Sequence, residues 1–251
     1  MPTKSISTLT KKRIYASIFI FISTAVIAHL INIFLEQYDI SLMFALNLSA
    51  TILIMYNWNL FGIHYNRAKY NITDTLIYTA IAFVITAVWT YLSNKFLHCI
   101  VIIPPTNSLI QYGYARIGML IAYSFSESAV ICIVQKCATD HMKPRRHELQ
   151  VILLSGILLG TLTTIVFLPS LNILTILTTL LYNVVLCTIF AYIYNQSHSF
   201  IPGMLGFAAS NLLFMILALL WIEYIKAGYF TGFSFSQIFG NRYSSSTSIK
   251  P

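Results

Sequence analysis

The sequence predicts an all-α fold, a polytopic bundle of about seven transmembrane helices with a cytoplasmic N-terminus. Hydrophobic residues make up 57% of the 251 residues and charged residues only 9%, whereas soluble domains carry roughly 45–50% and 25%. The mean hydropathy is +0.76, and the apolar residues gather in runs near the roughly 20 residues that a membrane-spanning helix needs. These runs occupy most of the chain and leave no room for a separate soluble domain.

Seven apolar runs are predicted as spans, and prolines mark two of the breaks between them. Pro104 and Pro105 separate the third run from the fourth. Pro169 with Ser170 predicts a turn so tight that the fifth and sixth spans form an antiparallel hairpin. The runs are Ile14–Leu35, Ile40–Ile63, Leu76–Leu97, Ile117–Cys137, Val151–Leu168, Leu171–Tyr194 and Phe200–Ile225.

The organisation that follows has four parts. Residues 1–13 form a basic N-terminal segment, 14–97 hold three helices, 109–225 hold a four-helix core, and 226–251 form an interfacial or disordered tail. The apolar run after Arg13 exceeds about twenty residues and no A-x-A-like site follows it, which favours an anchor over a removable signal peptide. Gly228–Phe239 is aromatic-rich but too short to span, so we expect it beside the membrane surface. An eighth span there would invert the tail.

Basic residues set the predicted orientation. Ten of them precede the first span or fall in alternate loops, namely Lys4, Lys11, Lys12, Arg13, Arg67, Lys69, Lys136, Lys143, Arg145 and Arg146. The positive-inside rule therefore places the N-terminus in the cytoplasm and the C-terminus outside. The net charge of +8 is accordingly interpreted as serving insertion and adhesion to anionic lipid, because nothing resembles a nucleic-acid module.

Polar side chains fall at one predicted depth on four spans. Taking the cytoplasmic ends near Lys136, Gln150, Asn195 and Phe200, a rise of about 1.5 Å per residue puts Glu127 ~14 Å deep, Thr163 ~20 Å, Asn183 ~18 Å and Asn211 ~17 Å. Such residues often join membrane helices by hydrogen bonds, with a protonated Glu127 bonded to Asn183 or Asn211. The alternative is a pocket facing a substrate or ligand, to which Ser126 and Ser128 also belong.

Histidines and cysteines do not predict a metal site. His29 is expected to be packed or to face outward, and the other five histidines fall in or beside loops, at His64, His98, His141, His147 and His198. A zinc site needs three or four His, Cys or acidic ligands, and these histidines do not come together within the membrane. No cofactor is expected. The cysteines Cys99, Cys132, Cys137 and Cys187 show no paired spacing, and a thiol in an apolar run behaves as a small hydrophobe.

The last four spans resemble the core of the CAAX-protease and bacteriocin-processing (CPBP or Abi) family of intramembrane proteases. Residues 192–202 read YIYNQSHSFIP and lead into 206–213, GFAASNLL, where Asn211 falls at the family asparagine and Phe207 stands in place of a histidine. In SESAVI, residues 126–131, Glu127 matches the second glutamate of the family's paired motif, Ser126 replaces the first, and Ile131 (or Cys132) replaces an arginine. In residues 155–163, Leu159 and Thr163 occupy the family's Phe-x-x-x-His positions.

The resemblance implies the fold of an intramembrane protease without its full chemistry. In that family the glutamate is thought to activate water, the histidines to assist, and the asparagine to help stabilise the oxyanion. Peptide hydrolysis needs an ionised base and a donor aimed at the developing charge. Glu127 and Asn211 match part of this set, but both histidines and the arginine are replaced, so we expect a protein that is not an enzyme.

The expected function is therefore binding, in bacteriocin self-immunity or in the regulation of an envelope protein or peptide of a bacterial cytoplasmic membrane. The expected partners are the lipid bilayer and another membrane protein or a peptide, not nucleic acid. One alternative is a transport component, either a solute-binding subunit or an ABC permease whose ATPase is another chain, because no Gly-x-x-x-x-Gly-Lys-Ser/Thr sequence is present. The other is an atypical active protease that uses Glu127, with Asn211 as the oxyanion donor.

Overall fold

The structure, a computed structural model, describes residues 11–97, 115–142, 147–166 and 172–226. Every regular element in these ranges is helical. The elements are α1 (Lys11–Leu35), α2 (Tyr38–Tyr56), α3 (Trp58–Tyr70), α4 (Ile72–Leu92), which continues as a π-helical turn (Ser93–Leu97), α5 (Ala115–Met142), α6 (Glu148–Val166), α7 (Ile173–Ser197) and α8 (Ile201–Lys226). The prediction of an all-helical protein is confirmed for this part of the chain.

Five of these helices are long and apolar enough to cross a membrane, namely α1, α4 with its π-helical turn, α5, α6 and α7. The pair α2–α3 passes the same test only when its two helices are taken together, which makes six candidate spans. The apolar part of α8 whose side chains are described, Ile201–Leu217, is shorter than the others. By length and composition the chain is therefore a membrane protein whose described residues form a helical bundle, while the seventh span and the orientation stay predictions.

The predicted second span, Ile40–Ile63, is wrong as one continuous helix. The chain bends by 86° between α2 and α3, at Asn57, whose side-chain amide donates to the Leu53 carbonyl at 3.0 Å and to Ser17 Oγ at 3.1 Å. One face of α3 is buried, whereas Trp58, Tyr65 and Tyr70 are exposed. An amphipathic helix with exposed aromatic and basic residues is typical of a membrane surface rather than its interior.

Several helix ends meet at one end of the bundle, which we call the basic end. There the ring of Tyr15 near the start of α1 lies 6.2 Å from that of His141 at the end of α5, and Asn195 of α7 donates to Glu148 at the start of α6. Ser17 and Asn57 join α1 to the α2–α3 bend at this end. These contacts bring the start of α1, the α2–α3 bend, the end of α5, the start of α6 and the end of α7 together at this end of the bundle.

Helix α5 occupies the centre of the bundle. It packs against α1, α2, α6, α7 and α8, and residues 128–139 are buried without interruption. A helix that is buried all round lies in the core of its protein. This position explains why polar groups on α5 meet partners from several other helices.

The predicted hairpin of the fifth and sixth spans is present as α6 and α7, which form the most extensive helix pair among the described residues. Gly156 and Gly160 make the close contact possible, because a Cβ atom at Gly160 would lie 2.4 Å from Val184 Cα and one at Gly156 2.8 Å from Thr188 Cα. Small residues four apart allow membrane helices to approach closely. The turn at Pro169 and Ser170, the Pro104–Pro105 break, and the tail beyond residue 226 lie outside the described residues.

Candidate functional site

The centre of the candidate site is a hydrogen bond between α5 and α8. Asn211 Nδ2 donates to Glu127 Oε2 at 2.7 Å, and the Tyr123 side chain, one turn earlier on α5, also hydrogen-bonds this carboxyl group. Asn211 is only 8% exposed, and Glu127 is half-buried. Of the two amides that the sequence suggested as partners of Glu127, the structure brings Asn211 into contact.

The two serines beside Glu127 face different ways. Ser126 Oγ donates to Asn47 Oδ1 at 2.7 Å, and this bond ties α5 to α2. Ser128 Oγ donates to the Ser124 carbonyl of its own helix at 2.6 Å. Asn47 was not predicted as part of this site, because a single asparagine in an apolar run gives no indication of the helix that it faces.

Thr163 and Asn183 belong to a different helix contact. Thr163 Oγ1 donates to the Leu159 carbonyl of its own helix at 2.8 Å, and Asn183 Nδ2 donates to Thr164 Oγ1 at 3.0 Å. The predicted convergence of four polar helices thus becomes two separate pairs, one across α5–α8 and one across α6–α7. The physical reason is that similar depth along a helix does not fix the direction in which a side chain points.

The positions that the family resemblance assigns to histidine and arginine are used for packing. Phe207 is 2% exposed, and its ring centroid lies 5.1 Å from that of Phe190. Ile131 and Cys132 are each 3% exposed in the core. Thr163 donates to a carbonyl of its own helix. The polar partners of Glu127 on α5 and α8 are therefore Tyr123 and Asn211.

A second polar network, which was not predicted from the sequence, lies near the basic end. Lys136 was predicted to be a loop charge, but α5 continues to Met142 and Lys136 is 1% exposed. Its Nζ pairs with Asp140 Oδ2 at 2.5 Å, and Tyr194 of α7 donates its hydroxyl to Asp140 Oδ1 at 2.7 Å. Lys136 can be buried in α5 because Asp140 pairs with it, since a buried ammonium persists only with a charged partner. Opposite charges four residues apart were the available signal.

His64 was expected in or beside a loop and instead lies in the core. It is 3% exposed, and its ring centroid is 4.9 Å from that of Phe200 and 6.1 Å from that of Tyr194. Asn211 lies eleven residues beyond Phe200 on α8, about 16 Å along the helix. His64 therefore belongs to the basic end and not to the Glu127 site.

The remaining histidines are distributed over the surface or undescribed. His29, His147 and His198 are exposed, and His98 lies outside the described residues. Within the described ranges, no group of three His, Cys, Asp or Glu side chains is placed to hold a metal ion.

Comparison of the chain with known protein families, with curated proteins and with solved structures finds no match. What the fold defines is therefore a class, a membrane protein whose described ranges form a bundle with five or six helical segments that could cross a membrane. The likeness to the CPBP family stays an expectation drawn from the residues themselves.

Proposed function

We propose that this chain is a binding protein of a bacterial cytoplasmic membrane, built like a CPBP intramembrane protease but without its hydrolytic chemistry. It takes a membrane protein or a peptide as its partner, in bacteriocin self-immunity or in control of an envelope protein. The observation that carries the proposal is the Glu127–Asn211 hydrogen bond. It joins the two positions that match the family's glutamate and asparagine.

The environment of this bond favours binding over catalysis. A general base must hold an available lone pair toward water near the operating pH, whereas Glu127 already has bonds from Asn211 and Tyr123. The histidine positions are filled by Thr163, which bonds to its own helix, and by Phe207, which packs on Phe190. Each missing proton-transfer partner costs roughly 10²–10⁴ in rate.

The same pair suits recognition of a peptide backbone. A carboxyl oxygen accepts from an amide N–H, and the Asn211 side-chain amide donates to a carbonyl. A peptide that replaces their mutual bond with two such bonds keeps both groups satisfied in a poorly hydrated place, where an unsatisfied group is costly. Glu127 is half-buried rather than enclosed, which leaves room for such an exchange.

One substitution separates binding from catalysis. Glu127→Gln keeps an oxygen that accepts from Asn211 but removes any base. Bacteria expressing the chain are challenged with a panel of purified pore-forming bacteriocins, and the purified protein is incubated with the same peptides and with prenylated peptides. We expect protection in the wild type and in Glu127→Gln, loss of protection in Asn211→Leu, and no cleavage.

The control is Ser23→Ala, because Ser23 Oγ donates only to the Phe19 carbonyl of its own helix at an exposed position on α1. Cleavage by the wild type that disappears in Glu127→Gln would show an active protease and overturn the proposal. Absence of protection against every member of the panel overturns the immunity role.

A further inference from the structure

A polar cleft of about 250 Å³ opens at the basic end, away from the Glu127 site. It lies between the end of α3, the first two turns of α4 and the α7–α8 turn. Its lining is mostly polar and includes Arg67, Asn71, Asp74, Tyr78, Gln196 and His198. The proposed function uses none of these residues, and of them only Gln196 and His198 fall within the 192–202 stretch that carries the family resemblance.

The cleft carries one charge of each sign. Arg67 lies in the last turn of α3, and Asp74 in the first turn of α4. Neither forms an ion pair with another residue of the described ranges. Asn71, between them, caps no backbone N–H of α4 with its side chain. A site with a guanidinium on one wall and a carboxylate on another suits a ligand that carries both an anion and a cation.

The surroundings place this cleft at the level of lipid headgroups. Helix α3 leaves α2 at 86° and exposes Trp58, Tyr65 and Tyr70, and aromatic side chains of this kind concentrate at the membrane–water interface. On α4, next to the cleft, Ile72 and Leu76 are exposed. A polar recess at the interface is thus continuous with an apolar helix face that can contact acyl chains.

We propose that the cleft binds the headgroup of a zwitterionic aminophospholipid, phosphatidylethanolamine. Arg67 and Asn71 donate to the phosphate oxygens, Asp74 accepts from the primary ammonium, and the acyl chains follow the exposed face of α4. The volume supports a headgroup rather than a whole lipid, since pockets for drug-sized ligands measure roughly 300–1,000 Å³. Phosphatidylglycerol is a poorer occupant because its headgroup brings no cation for Asp74.

The experiment measures the thermal unfolding of the detergent-solubilised full chain with added lipid. We expect phosphatidylethanolamine to raise the unfolding temperature more than phosphatidylglycerol, which lacks the ammonium. It should also exceed phosphatidylcholine, whose quaternary nitrogen has no N–H to donate. Arg67→Gln should weaken the affinity for phosphatidylethanolamine about tenfold, the loss of one charge-assisted contact. Asp74→Asn should make ethanolamine and choline lipids bind alike.

Lys69→Gln is the matched control, because Lys69 is an exposed cation on the same helix that does not line the cleft. It should leave the lipid ranking and affinities unchanged. If phosphatidylglycerol stabilises the protein as well as phosphatidylethanolamine, or if Lys69→Gln loses as much affinity as Arg67→Gln, the inference is wrong. Full stabilisation by soluble phosphoethanolamine would identify a free zwitterion as the ligand and also overturn it.

A measurement on the unmodified protein covers the case in which a variant fails to fold. Photoactivatable phosphatidylethanolamine with its reactive group near the headgroup is incorporated with the wild-type chain, and the labelled peptides are identified by mass spectrometry. We expect labelling within 67–78 and 196–199, the segments that line the cleft. Labelling concentrated elsewhere contradicts the proposal.

Discussion

Removal of the Asn211 amide tests the central hydrogen bond of the molecule most directly. In Asn211→Ala the Glu127 carboxyl loses the donor at 2.7 Å and keeps the bond to Tyr123. The quantity of interest is the coupling energy between the two residues, obtained from Glu127→Ala, Asn211→Ala and the double variant. This cycle cancels the packing lost by each truncation alone.

The magnitude follows from the structure. Hydrogen bonds between membrane helices couple by about 0.6 kcal/mol on average and by about 1.7 kcal/mol at most. The Glu127–Asn211 bond is short and Asn211 is nearly buried, which favours the upper part of that range. We therefore expect a coupling energy of about 1–1.7 kcal/mol.

The assay is reversible unfolding in mixed micelles of sodium dodecyl sulfate and a mild detergent, followed by circular dichroism. The control cycle pairs Glu127→Ala with Asn183→Ala. Since Asn183 donates to Thr164 instead, that cycle should be additive within about 0.3–0.5 kcal/mol. Equal coupling of Glu127 to both asparagines, or additivity in both cycles, would refute the assignment of the bond to α5 and α8.

Three further predictions concern the rest of the bundle. Gly160→Ala should destabilise the protein by about 1–3 kcal/mol through overpacking, because the added Cβ would lie 2.4 Å from the backbone of α7. Gly118→Ala, with open space around the added Cβ, should not destabilise it. Equal free energies of unfolding for the two variants would contradict this prediction. Lys136→Met should cost about 3 kcal/mol by leaving the partly buried Asp140 carboxylate without its cation. Asp140→Asn in the same chain should recover part of this loss, and a Lys136→Met variant as stable as the wild type would show that the ion pair does not stabilise the fold. If α3 lies at the membrane surface, Trp58 fluorescence should be quenched more by lipids brominated near the headgroup than by lipids brominated near the chain ends. The measurement uses a variant in which the other two tryptophans are replaced by Phe. Stronger quenching near the chain ends would place α3 inside the bilayer and contradict the prediction.

Much of the fold could be predicted from hydropathy because the bilayer leaves a chain few choices. A segment surrounded by lipid must pair its backbone N–H and C=O groups with one another, as they are paired in a helix. A long apolar run therefore already predicts a helical span. The predicted Leu171–Tyr194 span is accordingly close to α7, Ile173–Ser197. Where the composition is mixed the prediction fails, as at Asn57, where polar residues follow an apolar run and the chain bends by 86°.

Lys136 shows why a charge count is a weaker guide than a hydropathy run. The positive-inside rule treats every lysine near a span end as a loop residue, but a lysine four residues before an aspartate can stay inside a helix that pairs them. The partner hydroxyl of Tyr194 comes from another helix. No local pattern in the sequence identifies that contact.

The sequence by itself determined that the described part of the chain is helical, with several helices long and apolar enough to cross a membrane, because a long apolar run must pair its backbone groups within a helix. The similar depths of Glu127, Asn183 and Asn211, counted from the rise per residue, stay predictions. Only the tertiary structure decided that Glu127 pairs with Asn211 while Asn183 turns to Thr164. The partner that a side chain meets depends on which helix packs against its side of the bundle, and this is decided by the packing of all the helices together. The close approach of α7 to Gly160 likewise depends on the whole contact between the surfaces of α6 and α7.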